Sequence, residues 1–245
     1  MNVTNMDVKK LTQEPSGKVR GILAAKLAGD YISGNFSKAE ADIADDIFRL
    51  LLKDVEKQVR KTISEQLSHC LSVPHDIILR LAQDEPEVAQ SVLQYSSVLT
   101  DDDLLSLIQS TKEVIKLCAI ARRSNLSGNV SSKLIETKHL SVLGDLFRNK
   151  TASISENGLL SAWQEIAENH TLLETLVHRG GLPLTIAEKL YHIVTDDMKQ
   201  QLSRNYKLNI PLAQKTATDA REWQMLSIIP GDGAIDPNND EDVED

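Results

Sequence analysis

Residues 123–134 read RSNLSGNVSSKL, and residues 179–190 read RGGLPLTIAEKL. Both segments show the same order of residues. An arginine comes first, a leucine follows, then a serine or proline that favours a helix start, and finally an apolar residue next to a small one. The two arginines are 56 residues apart, which is twice a period of about 28, and a period in this range is typical of stacked helix pairs. The recurrence therefore indicates a helical repeat protein.

A second recurrence lies nearer the N-terminus. An acidic residue precedes an apolar residue at helical spacing in residues 54–63 and again in residues 84–92, and their central residues Val59 and Val88 are 29 apart. Apolar residues at helical spacing continue from residue 17 to about residue 206. We expect four residues to be buried where neighbouring helices meet: Val59, Val88, Val130 and Ile186.

The composition supports this interpretation. Aromatic residues make up only 4% of the 245 residues, and the chain has 11 glycines and 7 prolines, too few for the many tight turns of an all-β protein. Hydrophobic residues make up 41%, which is enough for a folded core. The sequence predicts an all-α fold, an α-solenoid of about five to six stacked antiparallel helix pairs.

Five segments carry a resemblance to a known family: residues 84–93 (DEPEVAQSVL), 99–104 (LTDDDL), 119–127 (AIARRSNLS), 148–155 (RNKTASIS) and 179–183 (RGGLP). In their order and spacing the chain resembles a bacterial family of uncharacterised HEAT-like repeat proteins, over roughly residues 20–205. The resemblance implies a HEAT-like solenoid. It implies little about activity, because the family has no settled biochemical function.

Four regions are expected along the chain: a flexible N-terminus (1–15), the HEAT-like helical repeat domain (16–206), a C-terminal extension (207–231) and an acidic disordered tail (232–245). The tail holds seven acidic residues and no basic one, so it cannot bury enough apolar surface to order itself. In the extension, Trp223 lies in an apolar segment, residues 222–229. This segment is predicted either to cap the repeats or to act as a docking motif.

The charge distribution limits the classes of partner. The net charge is −9, and without the seven tail acids it is −2, so a general attraction to nucleic acid or to an anionic membrane is not expected. No apolar run is long enough to span a bilayer. The polar N-terminus does not read as a secretory signal, and two cysteines do not suggest a disulfide framework. We therefore expect a cytoplasmic protein without membrane insertion.

The candidate site is a row of arginines. Arg123 and Arg179 occupy equivalent places in the repeat, Arg148 falls near their midpoint, and Arg122 is adjacent to Arg123. One interpretation is structural, with the guanidinium groups bound to carboxylates or helix C-terminal carbonyls of the next repeat. The other is a site for an anion or an acidic peptide on one face, with Trp223 as a further docking residue. The sequence leaves both interpretations open.

No motif indicates catalysis, a cofactor or a metal. His69, Cys70 and His75 lack the paired spacing of a zinc site. The calcium-loop-like pattern of residues 236–240 is followed by Glu241, where a calcium loop needs glycine. We expect a non-enzymatic scaffold that binds a protein or peptide on a helical-repeat face. The alternative is a regulatory sensor of an anionic small ligand or acidic peptide, which would bind at the arginine row. The oligomeric state is left open.

Overall fold

The structure is a computed structural model that describes residues 16–34, 36–206 and 208. In this part of the chain the regular secondary structure consists of fourteen α-helices, which confirms the predicted all-α fold. The helices are α1 (Gly17–Ile32), α2 (Lys38–Leu51), α3 (Lys57–Leu67), α4 (His75–Gln83), α5 (Pro86–Tyr95), α6 (Asp101–Ser110), α7 (Val114–Ala121), α8 (Gly128–Glu136), α9 (Leu140–Arg148), α10 (Glu156–Ser161), α11 (Trp163–Ala167), α12 (His170–Arg179), α13 (Leu184–Ile193) and α14 (Asp196–Tyr206).

Local sequence signals fix several helix ends. Before α2, the Ser37 hydroxyl accepts a hydrogen bond from the Glu40 amide, and the Glu40 carboxylate accepts one from the Ser37 amide at 2.7 Å. This is the capping box that the sequence predicts. Thr100 and Asp103 form the same arrangement before α6. Helix α12 ends at Gly180, whose φ of 73° lies in the left-handed region that favours glycine.

The chain divides into two compact units, Met1–Ile186 and Ala187–Asp245. In the first unit, many contacts between helices join one helix to the next but one along the chain, and α9 contacts α12. Helices α1, α3, α5, α7, α9 and α12 contact each other in that order and form a first row. Helices α2, α4, α6, α8 and α10 form a second row in the same way. Two rows of alternating helices are compatible with the predicted solenoid.

The four aliphatic side chains that the sequence analysis expects at helix–helix contacts are buried. Val59 and Val88 are completely buried in α3 and α5, and so are Val130 in α8 and Ile186 in α13. The burial predicted for these four residues is therefore confirmed. Burying a branched aliphatic side chain stabilises a fold by roughly 1.5–3 kcal/mol, so these residues are major contributors to packing.

The described part of the second unit comprises residues 187–206 and 208. It contains the end of α13 and all of α14, with Leu190 and Leu202 buried. The predicted flexible N-terminus (1–15), the acidic tail (232–245) and the C-terminal extension except Leu208, with Trp223, lie outside the described residues. Among the helices that the structure describes, none is long and apolar enough to cross a membrane.

Candidate interaction site

Arg123 connects the end of α7 to the end of α5. Its Nη1 donates to the Leu93 carbonyl at 2.5 Å, and its Nη2 donates to the Ser96 carbonyl at 2.6 Å. Carbonyls at the end of a helix lack an intrahelical donor, and they carry the negative end of the helix dipole. The guanidinium of Arg123 therefore fills a structural role at this helix end.

Arg179 repeats this role two steps further along the row, where it connects the end of α12 to the end of α9. Its Nη1 donates to the carbonyls of Asn149 at 2.5 Å and of Leu146 and Phe147 at 3.1 Å, and its Nη2 donates to the Ala152 carbonyl at 2.5 Å. Arg179 thus reaches 30 and 27 residues back, and so does Arg123. The two positions are structurally equivalent, as their spacing predicts.

Asn149, not Arg148, supplies the link between them. The Asn149 side-chain amide donates to the carbonyls of Ala121 at 2.8 Å and Arg123 at 2.6 Å, at the end of α7. Arg123, Asn149 and Arg179 therefore join the ends of α5, α7, α9 and α12 in sequence. We call these three residues the carbonyl ladder.

Each residue of the ladder follows an exposed basic residue. Arg122 precedes Arg123, Arg148 precedes Asn149, and His178 precedes Arg179, and all three are exposed. We call Arg122, Arg148 and His178 the exposed basic row. The predicted row of four arginines thus separates into two kinds of position. Arg123 and Arg179 are bound to main-chain carbonyls, whereas Arg122 and Arg148 face solvent.

Arg122 and Arg148 share one carboxylate. Arg122 Nη2 lies 2.7 Å from Asp145 Oδ2, and Arg148 Nη1 lies 2.8 Å from Asp145 Oδ1. The Asp145 side chain is 10% exposed, whereas those of Arg122 and Arg148 are 44% and 60% exposed. Two cations against one anion leave an excess positive charge at the surface.

A cleft of about 380 Å³ continues this positive surface. Its lining includes Arg148, Lys150 and His178, with Glu174 as the acidic residue. Lys150 is exposed. The surface around Asp145 and this cleft is therefore suited to an acidic group.

Cys118 is buried next to Asp145. Burial raises the pKa of the Cys118 thiol to about 11, and a hydrogen bond with Asp145 acts in the same direction. At neutral pH the thiol is protonated, and a protonated thiol is a poor nucleophile. Cys70 is also buried, and both cysteines are free.

A second cleft, of about 740 Å³, lies at the links between helices α2 and α3, α4 and α5, and α6 and α7. We call it the Lys116 cleft. Its charged lining includes Lys53, Arg60, Arg80, Asp84, Glu113 and Lys116. Lys116 is only 8% exposed, and its Nζ donates to the carbonyls of Gln83 at 3.2 Å and Ala82 at 3.4 Å.

The sequence analysis did not identify Lys116. Burial lowers the pKa of the Lys116 ammonium, and the charges of Asp84 and Glu113 act in the opposite direction. The signal was available in the repeat, because Lys116 occupies a position at which the neighbouring repeat has Val88. In the residues that the structure describes, no group of three or more histidine, cysteine, aspartate or glutamate side chains is placed to hold a metal ion.

Comparison with known proteins gives one match. The model of a family described as an uncharacterised protein conserved in bacteria (DUF2336) matches residues 88–238, more than half of the chain. This confirms the predicted resemblance to an uncharacterised bacterial family, while the HEAT-like character of the repeats stays a prediction. No curated protein and no solved structure matches.

Proposed function

Because the chain belongs to the DUF2336 family of bacterial proteins, whose function is uncharacterised, we propose a role that rests on the geometry of its surface. The protein is a non-catalytic scaffold for protein–protein interaction, built from HEAT-like repeats and acting in the cytoplasm. It binds an acidic segment of a protein partner on the exposed basic row. Two free, buried cysteines accord with a reducing compartment.

The observation that carries this proposal is the shared carboxylate. Asp145 can neutralise only one of the two guanidiniums that contact it. The exposure of Arg122 and Arg148 leaves donors available to carboxylates of a partner, and arginine forms strong two-pronged hydrogen bonds with carboxylates. Lys150 and His178 extend the basic surface along the adjacent cleft.

The carbonyl ladder narrows the candidate site. For Arg123 and Arg179 the sequence left a partner-binding role and a structural role open, and their guanidinium groups donate to main-chain carbonyls of their own fold. Binding an anion with them would leave those carbonyls without a donor, which costs about 1–3 kcal/mol for each buried group. The proposed binding residues are therefore Arg122 and Arg148. The alternative function, an anion sensor that uses the whole arginine row, receives less support for the same reason.

The test is a charge reversal at the two exposed arginines. The full chain with Arg122→Glu and Arg148→Glu is compared with the wild type and with a control carrying Lys38→Glu and Lys112→Glu. The control reverses two charges at exposed positions away from the site. Proteins retained from the native cell are quantified by mass spectrometry, and the binding of each candidate is remeasured with purified protein at increasing salt.

We expect a partner that the wild type and the control retain and that the reversal loses. Its affinity should fall as salt rises, because charges at an exposed surface are screened. Equal retention by all three proteins would show that the partner binds elsewhere. Binding that does not respond to salt would contradict an electrostatic site.

A further inference from the structure

One position in the first row departs from the repeat. In five of the six first-row helices, the third residue after the N-cap is buried. In α3, α5, α7, α9 and α12 this residue is Val59, Val88, Lys116, Val142 and Leu172, respectively. Four of the five are aliphatic, and Lys116 alone among these five carries a charge.

A lysine at this position costs stability. Moving an ammonium out of water is unfavourable unless the charge is paired, and Lys116 makes no ion pair with a carboxylate of the described residues. Its two hydrogen bonds to carbonyls are long, at 3.2 and 3.4 Å. A valine would fill the same position, as it does in α3, α5 and α9. Departures of this kind from local consistency concentrate at functional sites.

The surroundings of Lys116 add uncompensated positive charge. Lys53 and Arg80 line the same cleft, are exposed and make no ion pair or side-chain hydrogen bond within the described part of the chain. Most carboxylates of the cleft are already in ion pairs with other side chains. Arg60 binds Asp84 at 2.6 Å and Glu85 at 3.1 Å.

The two remaining carboxylates of the cleft are Asp54 and Glu113. Asp54 is bound by Arg20 at 2.6 Å, so Glu113 is the one cleft carboxylate without a side-chain ion pair among the described residues. Three cations, Lys53, Arg80 and Lys116, therefore face one free anion. Arg60 carries one positive charge against the two carboxylates that it contacts, so the cleft keeps an excess of one positive charge, which favours an anionic ligand.

We propose that the Lys116 cleft binds a small molecule through a phosphate group, with the ammonium of Lys116 as the buried partner of the phosphate. Arg80 and Lys53 contact the same ligand from the exposed side of the cleft. A volume of about 740 Å³ is within the usual range for small-molecule sites. The site lies apart from the exposed basic row and does not depend on the scaffold function.

The test measures thermal unfolding of the full chain with inorganic phosphate, at constant ionic strength set with sodium chloride. A ligand that binds only the folded state raises the melting temperature with dose. The variants are Lys116→Met, which keeps the length of the side chain and removes its charge, and Arg80→Gln at an exposed position. Lys112→Met is the matched control, since Lys112 is exposed, lies in the preceding link and does not line the cleft.

We expect the melting temperature of the wild type and of Lys112→Met to rise with phosphate. Lys116→Met should fold and should lose the response to phosphate. Arg80→Gln should keep the fold and weaken the apparent affinity about tenfold, since a hydrogen bond to a charged group contributes about 1.5–3 kcal/mol. If Lys116→Met does not fold, Arg80→Gln decides the question.

Three results would overturn the proposal. The first is a wild type that does not respond to phosphate beyond its response to chloride. The second is a phosphate response that persists in both Lys116→Met and Arg80→Gln. The third is an equal response to succinate at matched ionic strength, which would assign the cleft to carboxylates in place of phosphate. A Lys116→Met variant that is less stable, with a wild type that ignores phosphate, would make Lys116 a cap for the end of α4.

Discussion

Arg122 and Arg123 are neighbours in sequence and have the same chemistry, yet they lie in opposite environments. Arg123 donates to the Leu93 and Ser96 carbonyls at the end of α5, whereas Arg122 faces solvent and contacts Asp145. A one-residue step around a helix end changes what a side chain can reach. Residue type and repeat spacing therefore identify where arginines recur, but not which arginine is bound to main-chain carbonyls.

The same contrast appears at the end of α9. There Arg148 is exposed, and Asn149 takes the place in the carbonyl ladder. An amide can substitute for a guanidinium because both present N–H donors to carbonyl oxygens. A residue belongs to the ladder because its donors reach the carbonyls of a neighbouring helix end, whatever its type. The exposed basic row consists of the residues just before those positions.

We expect the largest loss of stability at the buried positions between neighbouring first-row helices, which hold the ladder residues close to their carbonyls. Val88→Asp places a carboxylate at a completely buried position without a cationic partner, and we expect a loss of about 4 kcal/mol or more. Urea unfolding of the purified chain measures it. Gln109→Asp, at an exposed position of α6, adds the same charge and should change stability by less than about 0.5 kcal/mol. Similar unfolding curves for both variants would show that these buried positions tolerate charge.

An intermediate effect separates the ladder from the exposed row. Arg179→Met removes the donor to four carbonyls and should cost about 2–4 kcal/mol, because groups that lose their partner pay for desolvation. Arg123→Met removes the donor to two and should cost less. Arg122→Met and Arg148→Met are the matched controls, with an expected change of about 0.5 kcal/mol or less. Equal losses of stability at all four positions would show that the arginines of the ladder and of the exposed row do not differ in structural role.

The smallest expected effect is a pH dependence of stability. It comes from an ion pair, and the carbonyl ladder does not contribute to it. The hydrogen bond from Arg20 holds the pKa of Asp54 below its ordinary value of 3.8. The Arg20–Asp54 pair therefore stabilises the fold above pH 3.8, and this contribution is lost as the pH falls through the lowered pKa. Carbonyl oxygens do not titrate in this range. The melting temperature should fall below pH 3.8 by less in Arg20→Gln than in the wild type, while Arg179→Met should follow the wild-type slope. Equal slopes in Arg20→Gln and the wild type would contradict the assignment.

The helical fold and many of its helix ends follow from local sequence patterns. Ser37 with Glu40, and Thr100 ahead of three aspartates, specify helix starts through contacts within four residues. Such short-range contacts can be recognised without knowing what lies across the core. The buried positions Val59, Val88, Val130 and Ile186 also follow from spacing alone, because a repeat places the same face of each helix against its neighbour.

Which charged residues are bound within the fold depends on tertiary contacts. Arg123 and Arg179 meet carbonyls about thirty residues away, and Arg122 and Arg148 meet Asp145 and solvent. Lys116 reads as an ordinary surface lysine until the N-cap positions align it with Val88 and show that it is buried beside a cleft. The reason is physical: a helix pattern records which side chains face inward, whereas the role of a charge depends on the groups that other helices bring to it.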